Sequence, residues 1–103
     1  MIKKGIIQGV IAEREYTSRD GGKFINQSLL IRLPFVTTSG KASYDEIIAD
    51  RSCAQDEREA INTHFGQERE LTLFFSTREW TKPNTNEVKW FQECRLSKIA
   101  IVD

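Results

Sequence analysis

The sequence predicts an all-β protein: one domain over residues 1–103, a five-stranded barrel with one α-helix between strands three and four. Three observations carry that expectation. Apolar residues recur at every second position in several runs, the period of a half-buried strand. Turn-forming clusters rich in Gly, Asn, Ser or Pro separate those runs. Only residues 54–65 switch clearly to helical spacing. At 103 residues the chain has room for one core and no second.

Residues 5–15 are rich in β-branched side chains and read as the first strand, interrupted by Gly9. A glycine inside a strand marks a bulge or tight bend, as at a barrel corner. Thr17 to Gly22 is a concentrated turn signal. Residues 23–33 form the second strand, with Ile25, Leu29, Ile31 and Leu33 on one face and Asn26, Ser28 and Arg32 on the other, joined there by Phe24 and Leu30. Pro34 ends this strand or puts it at an edge. A loop over residues 37–43 leads to Tyr44–Cys53, whose apolar content suits a short third strand or a helix. Ala54, Arg58, Ile61 and Phe65 then recur at helical spacing, with Gly66 as the stop. Residues 68–80 return to period two, with Leu71, Leu73 and Phe75 on one side and Phe74, Arg78 and Trp80 on the other. After a loop at residues 81–86, residues 87–102 form the last strand.

The order β-β-β-α-β-β is that of the OB-fold, a small Greek-key barrel. The main alternative is an antiparallel sheet with one packed helix, but closure hides the edges of strands this long. In OB barrels, the face of strands two and three and the loops joining strands 1–2 and 4–5 bind oligonucleotides. Here the first loop and its flanks supply Arg14, Tyr16, Arg19, Lys23 and Phe24, and the second Arg78, Trp80, Lys82, Lys89, Trp90 and Phe91. Cations interleaved with aromatics suit a sequence-tolerant single-strand binder, because cations track phosphates and rings stack on bases. Arg32 and Phe74 complete the expected nucleic-acid site, with Arg95 among the supporting cations. Trp80 and Trp90 flank one loop, as a cross-strand pair closing the hairpin or as base-stacking platforms.

Fifteen Lys and Arg balance fifteen Asp and Glu, which excludes a histone-like polycation and an acidic, self-repelling chain. The balance is uneven along the chain. Residues 45–59 hold six acids and two bases, so that segment carries −4 and the rest +4. In an OB layout the acidic segment should lie away from the two binding loops. No run approaches the roughly 18 apolar residues of a membrane helix, and the N-terminus lacks a signal-peptide pattern. A cytoplasmic protein is expected. Cys53 and Cys94 belong to no metal-ligand pattern, so reduced thiols and no metal or other cofactor are expected. His64 suits a helix C-terminus. No nucleophile–base pair, carboxylate dyad or phosphate loop stands out, and an enzyme is not expected.

The segment Gly21-Gly22-Lys23-Phe24-Ile25-Asn26-Gln27-Ser28-Leu29-Leu30-Ile31 resembles the glycine turn and second strand of the single-stranded DNA-binding protein (SSB) family, above all its small OB-fold members from bacteria, phages and mobile elements. Leu71 to Trp80, with Trp90 to Leu96, resembles their closing hairpin. The resemblance implies single-stranded DNA binding in replication, recombination or repair as a homo-oligomer, dimer or tetramer. It makes Phe24, Trp80 and Trp90 stacking residues. Single-stranded DNA ranks ahead of RNA as the partner. A disordered tail with an acidic tip, common in that family, has no counterpart in Ile101-Val102-Asp103. The competing reading is an OB-fold protein–protein interaction module, such as a primosome or replisome adaptor, whose exposed aromatics contact protein.

Overall fold

The computed structural model describes residues 1–102. Its strands are β1 (Ile2–Thr17), β2 (Lys23–Val36), β3 (Ala42–Ala54), β4 (Glu68–Thr81) and β5 (Val88–Ile101), with one helix at Gln55–His64 between β3 and β4. They form a closed barrel in the order β1-β2-β3-β5-β4, the expected OB-fold arrangement.

β1 makes closure possible by serving both halves. Ile2–Ile6 pair with β4 and Ile6–Thr17 with β2. Between them the register shifts twice, at Ile7/Gly9 and at Val10/Ala12, so Gly9 lies at the expected bend. The sterically demanding glycine is another one. A Cβ on buried Gly5 would lie 2.9 Å from Leu33 Cδ2 and 3.0 Å from Leu71 Cδ1. On the far side, β3 and β5 run parallel and share a single pair, Asp50 with Arg95. That seam has far fewer rungs than any other junction of the barrel.

The core gathers Ile7, Leu29, Ile31, Ala49, Ile61, Leu71, Leu73, Cys94 and Leu96. The alternation of β2 is borne out, since Ile25, Leu29 and Ile31 are fully buried. Gln27 shares their face and is 1% exposed. It lies in a cross-strand row with Glu13 and Arg51. Its Nε2 donates to Glu13 Oε1 (2.8 Å) and to the Arg58 carbonyl (3.1 Å), and its Oε1 accepts from Arg51 Nε (2.7 Å). Arg51 also donates to the Glu57 carbonyl at 3.4 Å. Two barrel side chains thus hold the helix by its backbone, and no buried side-chain polar atom among the described residues lacks a partner.

The helix is 3₁₀ rather than the expected α. No side chain caps its N-terminus, and Ile61 is its one buried residue. The carbonyls of Glu57 and Arg58 accept from the barrel, which competes with the i+4 bonds of an α-helix. It ends before Gly66, whose φ of +74° turns the chain so that its N–H reaches the Ile7 carbonyl at 2.9 Å.

The radius of gyration is 16.5 Å, against about 13 Å for a compact domain of this length. Strands that run on past the barrel account for the excess. β2 continues through Pro34 to Val36 after its pairing with β1 stops at Arg32, so the proline lies on an open edge, as expected. β4 and β5 continue as a two-stranded hairpin from Phe74 and Arg95 to its tip at residues 82–87. Among the described residues no helix is long and apolar enough to cross a membrane.

Candidate nucleic-acid interface

Residues directly opposite one another in an antiparallel pair share a face of the sheet. On one face of the β4–β5 hairpin this rule places Phe74 opposite Arg95, Ser76 opposite Glu93, Arg78 opposite Phe91 and Trp80 opposite Lys89. Every aromatic on that face therefore has a cation as its direct neighbour. The reverse face holds the pairs Phe75–Cys94, Thr77–Gln92, Glu79–Trp90 and Thr81–Val88, with no cation at all. Trp80 and Trp90 are consequently not a cross-strand pair: one residue of register puts them on opposite faces. Phe75 also departs from expectation. It continues the alternation of Leu71 and Leu73, yet it is 49% exposed because the barrel ends beneath it.

The cationic face of the hairpin continues across the barrel. Arg95 neighbours Asp50 on β3, and Asp50 neighbours Ser28 on β2. Ser52 neighbours Asn26, and Ala54 neighbours Phe24, which ends the band at the β1–β2 turn. There Tyr16 and Phe24 stack with centroids 5.6 Å apart and planes inclined by 20°. A cavity of about 300 Å³ beside them is lined by Glu15, Tyr16, Thr17, Lys23, Phe24 and Gln55. Arg19 is exposed in the turn, which Ser18 closes by exchanging backbone bonds with Gly21 and Gly22. The Ser18 hydroxyl also donates to Asp20, holding that carboxyl below its usual range.

Among the hollows between these ends, two contain Arg95. A cleft of about 560 Å³ is lined by Arg51, Ser52, Phe74, Ser76, Arg95, Leu96 and Ser97. A smaller one of about 200 Å³ is lined by Asn26, Asp50, Ser52, Glu93 and Arg95. Apart from Arg95, the polar residues here are ones that sequence reasoning left out of the site. Their signal was the outer face of β2 and β3, but the contribution of β3 depended on a β3–β5 junction that a single pair defines. The acidic segment is also not kept away from the band. Asp50 stands in its middle, accepting from Ser28 Oγ at 2.7 Å.

The other expected site residues are scattered. Arg32 stands apart on β2, bridged to Glu46 at 3.3 Å and lying 4.3 Å over the Tyr44 ring. Its charge is thus partly spent. Lys82 begins the hairpin loop, its N–H donating to the Glu87 carbonyl at 3.1 Å. Arg78 bridges Glu93 at 3.2 Å yet keeps 74% of its side chain exposed, which limits that pair to a weak one. Arg95 and Lys89 form no ion pair among the described residues. The band therefore contains Tyr16, Lys23, Phe24, Phe74, Arg78, Trp80, Lys89 and Phe91, with Arg19 and Lys82 in the turns at its ends; Trp90 and Arg32 fall outside it.

Two further groups have settled roles. His64 ends the helix and accepts from Arg69 Nε at 3.1 Å through Nδ1. Burial, then the charges of Arg69 and Arg51, push its pKa below the ordinary value, so it is a neutral acceptor at pH 7 rather than a cation at the helix end. Cys53 and Cys94 are free thiols, as expected. Burial, followed by the Asp50 charge, pushes the Cys94 thiol up. Compared with known proteins, the chain matches no protein-family model and no curated protein sequence.

Proposed function

We propose that this chain binds single-stranded DNA, without catalysing a reaction, along the band from the Tyr16–Phe24 stack across the β3–β5 seam to the outer face of the β4–β5 hairpin. One observation carries the reading: the aromatic–cation pairing of Phe74 with Arg95, Phe91 with Arg78 and Trp80 with Lys89 on a single face. Each pair sets a ring for a base beside a charge for its phosphate. A base stacked on an aromatic ring gains about 1–3 kcal/mol, whatever its identity. Stacking supplies the larger share of affinity here, because the chain has no net charge. On this reading the protein is a small cytoplasmic relative of the SSB family, working in replication, recombination or repair as a homo-oligomer, with DNA preferred over RNA.

A titration with oligothymidylate at low and high salt tests it. Trp80 fluorescence should be quenched. With four band cations, Lys23, Arg78, Lys89 and Arg95, log K should fall against log salt with a slope of roughly −3. No quenching and a salt-independent signal would remove the proposal. A protein-interaction module remains the second reading, favoured by one observation. The reverse face of the hairpin exposes Phe75, Val88 and Trp90 beside Glu79 and offers nothing to a phosphate. If the hairpin serves a protein partner alone, the oligonucleotide titration stays flat and the partner quenches Trp90 instead.

A further inference from the structure

We infer that the hollow at the β3–β5 seam is a base-reading pocket that favours guanine, so that binding along the band is not wholly indifferent to sequence. The inference rests on the single-strand reading above and adds to it.

The volume of the hollow, about 200 Å³, admits one nucleobase. Its lining decides which part of a nucleotide enters. The carboxylates of Asp50 and Glu93 both border it, and they disfavour a phosphodiester there. Arg95 borders it too, which disfavours a free cation. An uncharged group carrying both donors and acceptors matches this lining. A base edge is such a group.

Phe74, the direct cross-strand neighbour of Arg95, is 57% exposed and lines the adjoining cleft together with Ser52 and Arg95, so its ring offers a stacking surface next to the hollow. Asp50 uses one oxygen on Ser28 and keeps further acceptor capacity. Arg95 forms no ion pair among the described residues, so its donors are free. Guanine alone presents two adjacent donors, N1–H and the N2 amino group, for one carboxylate. It also presents two adjacent acceptors, O6 and N7, for one guanidinium. Cytosine and adenine satisfy part of this set through their amino groups. Thymine offers a single N–H flanked by two carbonyls, which face the carboxylates unfavourably.

The test compares four oligothymidylates of equal length by fluorescence titration. One is unmodified, and the others carry a single central dG, dC or deoxyinosine. The dG oligomer should bind about fivefold to tenfold more tightly than the unmodified one, the lower part of the range for a bidentate base contact. Deoxyinosine, which lacks only the N2 amino group, should lose most of that gain. In the Asp50→Asn variant the ratio of dG-oligomer affinity to oligothymidylate affinity should fall to about one, the ratio being read independently of any change in overall affinity. Equal affinity of the wild-type protein for all four oligomers, with clear quenching, overturns the pocket and leaves single-strand binding intact. Absence of binding to any of them overturns both. The wild-type comparison needs no variant, so it decides the question even if Asp50→Asn fails to fold.

Discussion

The two halves of the β4–β5 ladder share strands and alternation but not consequences. In the half that pairs Arg69–Leu73 with Leu96–Ile101, Leu71, Leu73 and Leu96 close on β1, β2 and the helix and are all but removed from water. In the half that pairs Phe74–Thr81 with Val88–Arg95, only Cys94 is buried. The same pattern of one apolar residue in two produces a core where a second layer exists, and two exposed faces where none does. Fold and proposed function therefore divide between the halves, with stability in the lower and binding in the upper.

Substitution at Leu73 should break this division most sharply. Leu73→Ala removes a fully buried side chain and should lower unfolding free energy by about 2–5 kcal/mol in denaturant titration. Oligonucleotide affinity, measured where the variant is still folded, should stay unchanged. The polar layer under the helix comes next. Gln27→Leu keeps the volume but strands Arg51 Nε and the Arg58 carbonyl, at about 1–3 kcal/mol of stability. Its effect should be seen as early exposure of the 55–64 segment to protease.

The opposite experiment targets the hairpin. Trp80→Ala should weaken oligonucleotide binding by about 1–3 kcal/mol with little change in thermal midpoint. Trp90→Ala, on the reverse face, should leave binding near the wild-type value. Equal losses from the two would mean that both faces meet DNA.

The smallest expected effect is of pH. The folded-state pKa of His64 is depressed below its ordinary 6.5, so the unfolded chain takes up the proton first. Stability from this group is present above pH 6.5 and is lost as pH falls below it. The denaturation midpoint should drop over that interval, less so in His64→Gln, while oligonucleotide binding by the distant hairpin should not distinguish the two proteins.

Much of the barrel was legible because burial and period coincide there. Ile25, Leu29 and Ile31 declared the inner face of β2, and Gly9 declared the bend of β1. Gln27 was not legible as a core residue, since its partners come from β1, β3 and the helix, and no local pattern announces them. Phe75 misled because a strand's period says which way a side chain points, not whether anything lies opposite. The clustering of cations and aromatics was visible at the turns, but the separation of Trp80 from Trp90 depended on the hairpin register. Asp50 looked like part of a solvated acidic stretch until its single pairing with Arg95 put it in the band.

That single rung has a mechanical meaning. A barrel fastened on one side by many bonds and on the other by one resembles a cuff with a single button, and thermal motion should open it there first. Amide hydrogens around Asp50 and Arg95 should exchange faster than those of the β1–β2 and β4–β5 ladders. A nucleic-acid strand laid from Ser52 to Phe74 would cross that opening and act as a second button. Its grip would then be felt as slowed exchange along the whole seam, well beyond the atoms it touches.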